Sequence, residues 1–135
     1  MNSINRRKFL NVASVAAVPA ILPIMENDNR KNYKIIHHVF FYLKNAGSQE
    51  DINLLIEGLK TLKGIDEVKE LQIGKPASTV KRDVVDNSFD VSELMYFKTV
   101  EDQDAYQVHP IHKAFVEKYS HLWKNVKVFD MEVLK

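Results

Sequence analysis

The side chains best suited to chemistry in this sequence fall in one short run, Asp104-Ala105-Tyr106-Gln107-Val108-His109-Pro110-Ile111-His112. A histidine with an ordinary pKa near ~6.5 can take up a proton at neutral pH, and a tyrosine hydroxyl beside it can donate or accept a hydrogen bond. Proline suits only the first turn of a helix, so Pro110 predicts a break before it and a new helix from there to about Trp123. On that helix His112, Phe115, Tyr119 and Trp123 recur at steps of three and four, which makes His112 part of an inward aromatic stripe. His121 lies half a turn away in angle and faces solvent. This arrangement allows general-base catalysis by His112 with Tyr106 as its partner. It equally allows a structural role in which the two groups satisfy each other or a backbone carbonyl inside the core.

The remaining histidines are less pointed. His37 and His38 are adjacent in a strand-like run, so their side chains leave opposite faces. If His37 faces the helices and a pocket, His38 faces outward. His109 and His112 have the spacing of two metal ligands on a helix, but Pro110 spoils the geometry and no carboxylate has a claim on the pair. No metal site is therefore expected. The acids Glu50, Asp51, Glu101 and Asp102 read as helix-start charges. There is no cysteine, which excludes disulfides, thiolate metal sites and a cysteine nucleophile.

The elements that must position these residues can be read in order. Tyr33–Leu43 is β-branched and aromatic and predicts a strand buried on both faces. Ser48 caps a helix with Asp51 as its return partner, and Ile52, Leu55, Ile56, Leu59 and Leu62 form one apolar stripe down to Gly64. Val68–Ile73 is a second strand, 74–88 a polar loop, and Phe89–Phe97 a third strand. Thr99, with Asp102 three residues on, opens a helix that stops before Pro110. Val126–Leu134 alternates as the last strand. The order β-α-β-β-α-β implies an α+β, ferredoxin-like domain: a four-stranded antiparallel sheet with helices on one face. All four strands look apolar on both faces, and an uncovered apolar sheet face is unusual for a monomer. A homodimer, sheet against sheet, is expected.

The run Tyr106 to His112 resembles the signature of the Dabb family, the stress-responsive dimeric α/β-barrel domains, in which a Tyr precedes a His-Pro-x-His turn. Ile36-His37-His38-Val39, Ser88-Phe89-Asp90, Phe115, Trp123 and Val128-Phe129-Asp130 extend the resemblance over Tyr33–Leu134. It implies a dimeric barrel with a small apolar pocket between sheet and helices. In a plant polyketide cyclase of this family a Tyr and the second His of the turn act on the substrate, and the matching positions are Tyr106 and His112. A pocket His on the first strand matches His37. Two further polar pocket positions fall on Val91 and Leu59, so the pocket implied here is more apolar and differently shaped. Its expected walls are His37, Val39, Leu55, Leu59, Val91, Phe115 and Trp123. The resemblance implies an apolar carbonyl-containing ligand and Tyr/His proton transfer of a cyclase or lyase kind; no cofactor is expected, although dimeric α+β barrels also house haem enzymes and cofactor-free oxygenases. The alternative is a non-enzymatic stress-protective or ligand-binding dimer with structural histidines.

The amino-terminal segment reads as an address. Asn5-Arg6-Arg7-Lys8-Phe9-Leu10 resembles the twin-arginine export motif, and the apolar run behind it is short and broken by Pro19 and Pro23. The pattern predicts a signal peptide over 1–25 rather than a membrane anchor, export to the periplasm, a polar linker over 26–32 and the domain over 33–135. The chain's formal charge of +1 includes Arg6, Arg7 and Lys8; without these three, 16 of the 19 basic residues stand against 18 acids. A near-neutral surface without a basic stripe excludes nucleic acid as the expected partner.

Overall fold

The computed structural model describes residues 32–135. The expected signal and the linker up to residue 31 lie outside the described residues. Strand β1 (Ile35–Leu43) buries alternate residues from Ile35 to Leu43 and leaves Ile36, His38, Phe40 and Tyr42 half-buried. Helix α1 (Gln49–Lys60) opens with the Ser48 hydroxyl accepting from the Asp51 amide. The expected return bond is absent, because the Ser48 amide already donates to Asn45 O, and the Asp51 carboxylate accepts from Asn45 Nδ2 instead. The helical run closes through a 3-10 turn at Thr61–Gly64. Strands β2 (Glu70–Gly74) and β3 (Val91–Phe97) follow, each starting two residues later than the sequence pattern predicts.

Helix α2 (Val100–Val108) is capped by Thr99, whose hydroxyl accepts from the Asp102 amide. Helix α3 (Pro110–Tyr119) starts at the proline as expected, with His109 as its cap. It ends earlier than expected. A 3-10 turn at Ser120–Leu122 tightens the chain, the Lys44 amide donates to Leu122 O, and Trp123 becomes the first residue of β4 (Trp123–Glu132) instead of the last of the helix. Helices α1 and α3 meet at Gly58, where a Cβ would lie 2.6 Å from the Tyr119 ring. Only glycine permits that approach, which sets the depth of the helix carrying His112.

The sheet order is β2-β3-β1-β4, antiparallel throughout, as the ferredoxin-like reading requires. The helix-side face gathers the core: Ile35, Val39, Phe41, Leu43, Met95 and Phe97 pack under Leu55, Leu59, Leu62, Tyr106 and Phe115. The outer face corrects the expectation of four strands apolar on both sides. The register shows His38, Phe40, Leu94, Tyr96, Phe129 and Met131 there, but β2 presents Glu70 and Gln72 and β4 presents Lys127. The apolar patch is central, not sheet-wide.

One inward position is anomalous. In β3 the buried side chains are Val91, Glu93, Met95 and Phe97, so the alternation that builds the core carries a carboxyl group into it. Glu93 is 2% exposed, and its Oε2 has no hydrogen-bond partner. Its sheet neighbours are Val39 on β1 and Ile73 on β2, neither of which can hydrogen-bond it through a side chain. Burial disfavours the charged form and pushes the carboxyl up to about 8. In the unfolded chain the same group titrates near ~4.3, so between those values the folded state holds a proton that the unfolded state has released. Stability from this group is complete below the lower value and falls as pH rises through the upper one. Thermal or urea unfolding of the wild type should therefore weaken from about pH 5 to pH 8, by up to about 1.4 kcal/mol per pH unit. Glu93→Gln should flatten that slope; a wild type as stable at pH 8 as at pH 5 would contradict it.

Candidate functional site

His37 is held by a cross-strand pair. The β1–β4 register puts Asp130 directly opposite it, and His37 Nδ1 lies 2.5 Å from Asp130 Oδ1. The Gln103 amide nitrogen of α2 lies 3.1 Å from the same Nδ1. One nitrogen cannot both donate to Asp130 and accept from Gln103. The carboxylate is closer and can only accept, so Nδ1 keeps its proton and donates to Asp130 Oδ1. In the neutral ring this leaves the lone pair on Nε2. His37 is buried, with its ring edge-on to Tyr106 at 5.8 Å and to Phe97 at 6.2 Å.

Tyr106 is one helical turn beyond Gln103 on α2, so both face the sheet. It is fully buried, and burial raises its phenol far above the usual range, with the Glu93 charge adding to the effect. It therefore remains a neutral hydroxyl. The Tyr106 ring packs on His112 at 4.6 Å, across the break between α2 and α3. The break is made by His109 and Pro110: His109 Nδ1 accepts from the Ile111 amide, and the chain turns so that α3 starts beside the end of α2. His112 Nδ1 then donates to Gln107 O at 3.1 Å, again leaving Nε2 with the lone pair. Desolvation lowers the His112 pKa, the Gln107 carbonyl partly offsets this, and His37 lowers it further. Its ring is a neutral base at physiological pH.

These residues line a half-open cavity of about 130 Å³ between β1, β3, β4 and the helices. Its polar lining is His37, Glu93, Tyr106, Gln107 and His112; its apolar lining is Val39, Phe41, Phe115, Val116, Trp123, Val126 and Val128. Of the nine expected site residues, Tyr106, His112, His37, Val39, Phe115 and Trp123 are brought together here. Trp123 arrives from β4 and stacks on Phe115 at 5.7 Å. Leu55, Leu59 and Val91 lie in the closed core and not on the cavity wall. Glu93 was not among the expected residues, although a lone acid at an inward position of β3 is visible in the sequence. The roles of Asp130 and Gln103 needed the strand register and the helix placement.

Other features do not converge. His109 is occupied as a helix cap and lies outside the cavity wall; His121 is exposed, as expected; His38 sits on the outer face against Phe40. Among the described residues no group of three or more His, Cys, Asp or Glu could hold a metal ion. A larger open cleft of about 440 Å³ lies along α1 between Ile52, Ile56, Ile73 and Phe89. Its Asp90 accepts from the Leu43 and Gly47 amides, and the other charged side chains on its lining are Lys60 and Lys75.

A family model described as the Stress responsive A/B Barrel Domain, Dabb, matches residues 35–133. No curated protein matches the chain. Among solved structures, a hydroxynitrile lyase from Passiflora edulis superposes with a TM-score of 0.64 at 21% identity, over 77% of this chain and 96% of its own. A Dabb family protein with a ferredoxin-like fold from Mesorhizobium loti gives 0.62 at 23% identity, over 76% and 99%. A dimeric ferredoxin-like protein of unknown function from Thermobifida fusca gives 0.60 at 17% identity, over 76% and 93%. At these identities the likeness to solved structures is one of fold. The family match spans all four strands and all three helices, so the chain belongs to the stress-responsive A/B barrel (Dabb) family.

Proposed function

We propose that the cavity binds a small, uncharged carbonyl compound and moves a proton on it. The observation that carries this reading is the juxtaposition of the His112 ring, with its free Nε2 lone pair, and the buried neutral Tyr106 hydroxyl in a cavity whose remaining wall is mostly apolar. In the step proposed, His112 Nε2 takes a proton from the carbon next to the carbonyl. The C–H pair becomes a C=C bond, and the carbonyl π pair moves to oxygen, which accepts a hydrogen bond from Tyr106. Return of the proton regenerates both groups. His37, oriented by Asp130, is a second acceptor on the cavity wall. The Passiflora protein of the same fold is a hydroxynitrile lyase by name, which is in keeping with proton chemistry on this scaffold. The size of the cavity suits a ligand of about one ring, by comparison with apolar cavities of ~150 Å³ that admit benzene.

The working unit is proposed to be a homodimer joined through the outer sheet face. Phe129 and Met131 are 62% and 52% exposed there, around Phe40 and His38, and the Thermobifida neighbour is described as dimeric. Export of the folded protein by the twin-arginine route is part of the same proposal, on the strength of the motif at Arg6-Arg7 and the short apolar run behind it.

Three measurements test these readings. Deuterium exchange into the methyl group of acetophenone, followed by proton NMR, should be accelerated by the wild type. His112→Ala and Tyr106→Phe should each slow it by about 100-fold or more. The carbonyl that His112 holds belongs to exposed Gln107 and can be rewetted, so His112→Ala should cost under about 1 kcal/mol of stability. No acceleration by the wild type, or full activity in both variants, would overturn the proposal. For assembly, light scattering at micromolar concentration should give twice the monomer mass, with an interface near ~1,600 Å², and Phe129→Lys should shift the population to monomer. A monomeric wild type would remove the dimer.

A further inference from the structure

The proposed step uses Tyr106 and His112 and leaves one cavity group without a task. Glu93 is more than nine-tenths buried, lines the same cavity as those two residues, and holds Oε2 with no partner among the described residues. Such an atom is rare in a folded protein and calls for a partner that is not part of the chain. Strand neighbours cannot supply one: Val39 and Ile73 flank Glu93 in the sheet.

The groups facing Glu93 decide its state. Tyr106 of α2 is a neutral phenol, His112 of α3 is a neutral imidazole, and His37 of β1 has its Nδ1 turned to Asp130 of β4. No lysine or arginine lines the cavity. Without a counter-charge, burial keeps the carboxyl protonated at neutral pH, in line with its raised pKa of about 8. A protonated carboxyl is a hydrogen-bond donor.

We infer that Glu93 acts in this cavity as a neutral carboxylic acid that donates a hydrogen bond to the carbonyl oxygen of the bound molecule, selecting an uncharged carbonyl compound over an amine. The inference rests on the reading of the cavity as a ligand pocket, and it assigns the specificity of that pocket to a residue outside the Tyr/His pair. With Tyr106, it gives the ligand oxygen two donors, while the His112 Nε2 lone pair remains available for a proton. An amine of the same shape would have to bring its charge into a cavity whose acid is neutral, at the cost of ionising Glu93.

The test is a titration of the full chain with acetophenone and with 1-phenylethylamine, which share a skeleton and differ in the polar group. The wild type should bind acetophenone in preference to the amine at about pH 7. Affinity for the ketone should fall by about tenfold or more as pH rises through the Glu93 ionisation to about 9.5. Glu93→Gln keeps a neutral donor, so it should retain the ketone and lose the pH dependence. Glu93→Leu should weaken ketone binding by about tenfold. Preference for the amine, strengthening through pH 8 and lost in Glu93→Gln, would show that Glu93 works as a carboxylate and would overturn the inference. Equal ketone binding by wild type and Glu93→Leu, without pH dependence, would overturn it while leaving the pocket intact. Binding of neither probe would remove the pocket reading and the inference with it.

Discussion

The register of β1 against its two neighbours is the constraint on which the site depends. β1 is a central strand, paired with β3 on one side and β4 on the other. That pairing sets Asp130 across from His37 and Glu93 across from Val39, all on the face that the helices cover. A slip of β1 by one residue would turn its own side chains over and take His37 to the outer face, away from Asp130. The inward run Ile35, His37, Val39, Phe41 and Leu43 resists such a slip, because its alternative would place Ile36, His38, Phe40 and Tyr42 in the core. The apolar members of the strand thus hold the polar ones in place.

The helices complete the site through a break rather than through continuity. Had α2 run on past Val108, the residues after Tyr106 would have followed one cylinder. Pro110 ends that option, and the His109 ring caps the new helix. Tyr106 and His112 then come from two helices and pack ring on ring. Gly58 allows α1 to seat against Tyr119 and fixes α3 from behind. The result is a set of groups that burial keeps uncharged: a phenol and a carboxyl that retain their protons, and an imidazole that gives its proton up. These three groups bring no charge to the cavity at neutral pH, yet they supply it with both donors and an acceptor.

Much of this was legible in the sequence, and the failures have physical causes. Helix caps at Ser48 and Thr99, the restart at Pro110 and the inward placement of His37 and His112 all follow from local rules of spacing and chemistry. Trp123 misled because a residue four steps beyond Tyr119 continues a helical stripe in number, although the chain has left the helix by then. Leu55, Leu59 and Val91 differ from expectation for another reason: a matched family position or a helical stripe gives the face a side chain takes but not its depth, and these three are sealed in the core. Asp130 and Gln103 meet His37 only through tertiary packing. Glu93 stood in plain alternation with Val91, Met95 and Phe97, and an acid at an inward strand position was the available signal.

The central claim is that both cavity histidines are oriented by their Nδ1 protons so that Nε2 is the acceptor. Nitrogen-15 NMR of the imidazole rings tests it most directly, since each ring nitrogen reports whether it carries a proton. Protonated Nδ1 and bare Nε2 are expected for both His37 and His112, with the His37 signal lost from that state in Asp130→Ala. The opposite tautomer at either ring, with the proton on Nε2, would contradict it.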